Sequence, residues 1–231
     1  RPGHDDLPDP DLLWALKPGQ RSLTHFGHKP VLVNSQGMRG GEFSPQKPPG
    51  KIRIINFGDS YTYGYGVGQD DTYPVLLGQL LERSFPNGYE VLNAGVNGYG
   101  MYQELMYLRR AVRYQPDVIT ISSTYNDSLF LNNVRVDGTI GMDDAPKQRI
   151  LRGVLLKRIA RSFALYNFWM EKVASWVYWR VKDRLVTGTW STDYPGDTML
   201  TKYQPILMEI IREARSRGIT VIFVIPHMGS L

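Results

Sequence analysis

From Lys51 onward the chain alternates between short apolar runs and longer segments with helical spacing. Lys51-Ile52-Arg53-Ile54-Ile55-Asn56-Phe57 predicts a strand closed by Gly58. Tyr73 to Ser84 carries Val75, Leu76 and Leu80 at helical spacing, with Gln79 interrupting the stripe. Tyr89 to Leu92 predicts a second short strand and Met101 to Tyr114 a second helix. Asp117 to Ser122, almost wholly apolar or β-branched, predicts a third strand. Met199 to Arg217 reads as a strong helix stopped by Gly218, and Ile219 to Ile225 as a fourth strand stopped by Pro226. Strands that are apolar on both faces belong in a parallel sheet covered by helices on each side. The pattern therefore predicts a doubly wound α/β fold.

Two segments break the alternation. Residues 1–50 hold eight of the fifteen prolines and read as an N-terminal arm that wraps or links, with Val31-Leu32-Val33 as its candidate edge strand. Residues 51–231 form the α/β domain, and within it residues from about 137 to 192 stand as an insertion after the third strand. That insertion has an aromatic-rich helical pattern: Phe163, Tyr166, Phe168, Trp169, Trp176, Tyr178 and Trp179. There is no internal repeat and no low-complexity tract.

Charge sharpens this division. The chain carries +5 overall, but between Lys147 and Arg184 ten basic residues face only Glu171 and Asp183. That stretch is +8, so the remainder is −3. Its plain reading is a packed helix with a solvated face. Its sharper readings are a lid over an acyl or glycan pocket, or a peripheral contact with an anionic membrane or polyanion through 147–184. No nucleic-acid-binding module accompanies the basic residues, so no nucleic-acid partner is expected.

Length and composition exclude other classes. At 231 residues the chain suits one good-sized α/β domain, and 42% hydrophobic with 21% charged residues excludes wholesale disorder. No apolar run approaches the ~18–20 residues of a membrane-spanning helix. The absence of cysteine excludes disulfides, thiolate catalysis and cysteine-zinc sites. The chain starts at Arg1, which leads us to expect a processed or trimmed N-terminus.

Open parallel sheets bind ligands beyond the carboxyl ends of their strands, so the loops there carry the candidate chemistry. The first strand leads into Gly58-Asp59-Ser60-Tyr61, the second into Asn93-Ala94-Gly95-Val96-Asn97-Gly98, and the third into Thr124-Tyr125-Asn126-Asp127. A hydroxyl, a glycine loop and an amide at neighbouring strand ends form the inventory for acyl transfer. Ser60 has a plainer reading as the cap of the helix after the first strand. Asp59 and Asp127 read as holders of loop backbone amides. The glycines at 58, 64, 66 and 68 do not make a dinucleotide loop, because Gln69 takes the last required glycine position. A serine- and threonine-rich flavin-phosphate loop suits the fold class but leaves Asn126-Asp127 unexplained. His4, His25 and His28 show no metal-ligand pattern, and no metal or cofactor is expected.

These blocks resemble the GDSL or SGNH hydrolase family, whose marks are a serine in Gly-Asp-Ser, a glycine in Asn-x-x-x-x-Gly, an asparagine in Gly-x-Asn-Asp and a histidine in a late Asp-x-x-His. The resemblance covers about 51–128 and implies a flavodoxin-like α/β/α sandwich of SGNH-hydrolase type. It makes Ser60 the nucleophile, with the Ser60 and Gly98 N–H groups and the Asn126 amide as the oxyanion hole. The 38 residues from Ser60 to Gly98 and the 28 from Gly98 to Asn126 each fit one intervening helix. Asn34-Ser35-Gln36-Gly37-Met38-Arg39-Gly40 is similar to the lead-in of some bacterial members. Thr124 replaces the usual glycine of the third block. The chain reaches Leu231 without an Asp-x-x-His, so that block is expected further on; His227, on the active-site edge, reads as a loop or pocket-lining histidine, with a substitute base as its sharper reading.

The expected function is a serine esterase or acylhydrolase acting on a small-molecule, lipid or glycan ester. The alternatives are a polysaccharide O-acyltransferase, or a non-catalytic glycan- or lipid-binding module if no base exists. The arm and the resemblance together favour an extracytoplasmic location.

Overall fold

The computed structural model describes residues 6–24, 29–122, 144–161 and 196–225. Two short antiparallel pairs open the chain. β1 (Leu7–Asp9) pairs with β2 (Leu13–Ala15), and β3 (Arg21–Leu23) with β4 (Pro30–Leu32). A four-stranded parallel sheet follows, built from β5 (Ile52–Gly58), β6 (Tyr89–Gly95), β7 (Val118–Ser122) and β8 (Thr220–Val224) in the order β6-β5-β7-β8. Its helices are α1 (Ser60–Tyr63), α2 (Tyr73–Ser84), α3 (Met101–Ala111), α4 (Asp144–Arg161) and α5 (Gly196–Arg215).

The sequence pattern explains the order. β5 and β7 lie in the middle, and their residues Ile55, Phe57, Ile119 and Ile121 are fully buried, as strands apolar on both faces require. The chain runs from β5 outward to β6, then back across β5 to β7. Helices in such right-handed crossovers fall on opposite faces. α2 accordingly packs on β6, while α3 and α5 pack on each other, joined by Arg109 to Glu209 and Glu213. The reversal of strand order lies between β5 and β7, which makes their carboxyl ends the topological switch point.

Most expected elements appear with shifted ends, and each shift has a local cause. β6 continues three residues past Leu92 because Asn93, Ala94 and Gly95 pair in register with Asn56, Phe57 and Gly58. α3 stops at Ala111 and tightens into a 3₁₀ turn over Val112–Tyr114, ended by Gln115 at a positive φ of 55°. β8 is the edge strand of the described sheet, and its Ile222 and Phe223 stay 48% and 38% exposed although their sequence reads as fully buried. Of the insertion, the described part is α4, which lies against β1 and β2. The aromatic residues from Phe163 to Trp179 fall outside the described residues.

The N-terminal residues share the core of the sheet. Leu12, Leu16, Val31, Val33 and Met38 pack in one cluster with Phe57, Ala94, Leu105 and Ile121. A buried arginine ties the two parts further. Arg53 of β5 is fully buried, and its guanidinium donates to Glu90 at 2.5 Å, to the Tyr114 carbonyl at 2.5 Å and to the Ser44 carbonyl at 2.8 Å. A buried charge survives only when its donors are matched; removing it would strand these acceptors at a cost of about 3–5 kcal/mol.

Candidate active site

Ser60 is the first residue of α1, two positions beyond the end of β5 and directly at the switch point. Its neighbour Asp59 is the N-cap: the fully buried Asp59 carboxylate accepts the Tyr61 N–H at 2.9 Å. Capping of α1 thus belongs to Asp59, and the Ser60 hydroxyl is not needed for it. The Ser60 carbonyl accepts the Gly64 and Tyr65 N–H groups at 2.9 and 3.0 Å, which folds the following loop back over the helix.

Gly98 reaches the same place from the neighbouring strand. β5 and β6 are in register to their last pair, Gly58 with Gly95, and the Val96 N–H continues the ladder by donating to the Gly58 carbonyl at 3.0 Å. Beyond it Val96–Tyr99 forms a turn closed by Tyr99 N–H on the Val96 carbonyl, with Gly98 third at φ +75°. That is the position where a type II turn demands glycine. Gly95 serves closeness instead: a Cβ there would lie 2.3 Å from the Tyr63 amide nitrogen, so only glycine lets α1 rest on β6. The structure therefore brings the Ser60 and Gly98 loops side by side. Asn126, Thr124, Asp127 and His227 lie outside the described residues.

Beneath Ser60 a buried polar chain links the strands. Asn56 donates to the Leu92 carbonyl at 2.9 Å and accepts from the Thr120 hydroxyl at 2.8 Å. Thr120 meets the Tyr73 hydroxyl at 3.3 Å, and Tyr73 meets Thr62 at 3.4 Å. Burial pushes the Tyr73 hydroxyl above the ordinary tyrosine range, which keeps it neutral. Asn93 bridges the two loops directly: its amide donates to the Thr62 carbonyl at 2.9 Å, and its side-chain oxygen accepts the Gly95 N–H at 2.9 Å.

An open cavity of about 470 Å³ lies beside Ser60, lined by Tyr61, Tyr65, Val67, Asp71 and Tyr73. Lys29 donates to Asp71 at 2.9 Å and holds that carboxyl below the ordinary aspartate value. Arg39, 2% exposed, braces the loop that forms one wall, donating to the carbonyls of Tyr63, Gly64 and Val67 at 2.7, 2.6 and 2.8 Å. Arg39 stands inside the Asn34–Gly40 segment, and Asn56 and Thr120 are polar residues inside apolar strands, a pattern that the sequence alone does not tie to the site. Among the described residues no group of three or more acidic or histidine side chains is placed to hold a metal ion.

A doubly wound α/β protein with a candidate nucleophilic serine at its switch point is what fold and loops define. The model of the GDSL-like lipase/acylhydrolase family matches residues 57–230, and the chain belongs to that family. No curated protein matches it. Among solved structures it is similar to AlinE4, an SGNH-hydrolase family esterase, at 26% identity, covering 50% of this chain and 57% of that one with a TM-score of 0.32. An acetyl xylan esterase, AlAXEase, is 18% identical over 74% of this chain and 77% of its own, with a TM-score of 0.34. The psychrotrophic esterase EstA from Pseudoalteromonas sp. is 13% identical over 75% and 78%, with a TM-score of 0.32. The fold class stands on the chain's own sheet order and on the family match.

Proposed function

We propose that the protein is a serine esterase or acylhydrolase that cleaves a carboxylic ester through an acyl-Ser60 intermediate. The observation that carries this is the placement of Ser60, released from helix capping by Asp59, at the switch point beside the Gly98 turn. Family membership supports hydrolysis of esters in general.

In this reading Ser60 Oγ attacks the ester carbonyl while a base takes its proton. By the family resemblance, that base is the histidine of an Asp-x-x-His block. The Ser60 N–H, the Gly98 N–H and the Asn126 amide hold the oxyanion as it forms. The tetrahedral adduct collapses, the alcohol leaves with the proton, and water then releases the acid from Ser60 by the reverse sequence. The tyrosine-lined cavity receives one side of the ester.

Steady-state hydrolysis of p-nitrophenyl acetate by the full chain tests this. Ser60→Ala is expected to remove turnover, and Asn126→Ala to lower kcat by roughly 10²–10³ while keeping the fold. An Asn126→Ala enzyme within tenfold of wild type would take Asn126 out of the oxyanion hole. Unchanged turnover in Ser60→Ala would end the proposal.

A further inference from the structure

Trp14 belongs to the N-terminal hairpin, 83 residues before the turn that carries Gly98. Its indole Nε1–H nevertheless donates to the Asn97 carbonyl at 3.0 Å, and its Cζ2 stands 3.5 Å from where a Cβ on Gly98 would sit. The Trp14 ring meets Tyr99 edge-on with centroids 5.7 Å apart, and the Tyr99 hydroxyl donates back to the Trp14 carbonyl at 2.6 Å. The indole is thus fixed from both sides of the turn.

The Asn97 carbonyl and the Gly98 N–H are the two ends of one rigid, planar peptide unit, and in the trans form they point in opposite directions. Fixing the carbonyl fixes the aim of the N–H. This peptide is also the central one of its four-residue turn, the unit that rotates by about 180° between type I and type II geometry. Glycine at 98 tolerates either state, so residue 98 alone does not select one. A donor on the carbonyl selects one state, and it also polarises the peptide so that its N–H becomes the stronger donor.

We infer that Trp14 is a positioning residue for the reaction, aiming and polarising the Gly98 N–H through its hydrogen bond to the Asn97 carbonyl. The inference rests on the proposed role of Gly98 as an oxyanion donor. It makes the N-terminal hairpin a working part of the site.

Trp14→Phe removes the indole N–H together with one of its two rings and leaves an aromatic ring on the Tyr99 side. An oxyanion donor acts on the transition state and not on bound substrate, so the loss should fall on kcat. In the full chain, Trp14→Phe is expected to lower kcat for p-nitrophenyl acetate by about tenfold, less than the 10²–10³ of a deleted donor, with KM within about twofold. Tyr99→Phe, which removes the hydrogen bond to the Trp14 carbonyl, is expected to move kcat in the same direction by a smaller factor, and it carries the test should Trp14→Phe fail to fold. A folded Trp14→Phe enzyme with wild-type kcat, or with a loss confined to KM, overturns the inference. Ser60→Ala assayed alongside separates the two levels. If it keeps its activity, the catalytic reading fails and this inference with it; if it is inactive while Trp14→Phe is normal, only the inference fails.

Discussion

At Gly98 the backbone holds φ +75°, where a side chain is strained, although a Cβ would meet only Trp14 Cζ2, at an ordinary 3.5 Å. Gly98→Ala is therefore expected to lose about 1 kcal/mol or more of stability from strain. If the turn relieves that strain by rotating its central peptide, the proposed oxyanion donor goes with it, and kcat should fall by at least tenfold. Thermal unfolding and steady-state kinetics on the same preparation check this; an active, equally stable Gly98→Ala protein would contradict it. Ser60 and Gly98 were legible in the sequence because each follows a strand in a short block. Asp59 was legible as a holder of backbone amides for the same reason. Trp14 and Arg39 were not, because their partners lie 83 and 24–28 residues away and only folding brings them together.

The β1–β2 hairpin that carries Trp14 is itself docked by a bidentate ion pair. Arg110 of α3 donates to both Asp9 oxygens at 2.6 Å and to Asp11 at 2.7 Å. Burial alone would raise the Asp9 carboxyl, but the Arg110 hydrogen bond and the N–H groups of Leu12 and Asp11 outweigh it and hold it below the ordinary aspartate value. A carboxyl depressed by folding adds stability above its unfolded pKa of about 3.9, and that stability is lost as pH falls through the folded value. Asp9→Asn is expected to cost about 2 kcal/mol near neutral pH. It should also flatten the loss of Tm between about pH 5 and pH 2 relative to wild type. Parallel Tm curves for the two proteins would show that Asp9 does not dock the hairpin. The parallel strands themselves were readable, since burial on both faces leaves a continuous apolar run. The end of β6 was not, because Asn93-Ala94-Gly95 looks like a loop until register with Asn56, Phe57 and Gly58 makes it strand. Of the two hairpins only one strand was legible, Val31-Leu32-Val33, which overlaps β4; the other three-residue strands are interrupted by a proline or too short to show a period.

Across the whole molecule, one core joins what composition separates. The proline-rich N-terminal residues and the sheet share buried side chains, and the N-terminal segment reaches each described loop of the candidate site. Trp14 meets the Gly98 turn, Arg39 the loop after Ser60, and Lys29 the cavity carboxylate Asp71. The described part of the insertion, α4, lies against β1 and β2 with Leu155, Leu156 and Ile159 exposed. The alternation of apolar runs and helices made the parallel sheet legible but not its order β6-β5-β7-β8, since right-handed crossovers leave several arrangements and only folding selects one. The central claim is that Ser60 is an activated nucleophile, and covalent labelling tests it most directly. Incubation of the full chain with a fluorophosphonate ester, followed by peptide mass mapping, should place one phosphonyl group on the Ser60 peptide, with fluoride released, and none on Ser60→Ala. A protein that stays unlabelled, or carries the label on another residue, would contradict the account.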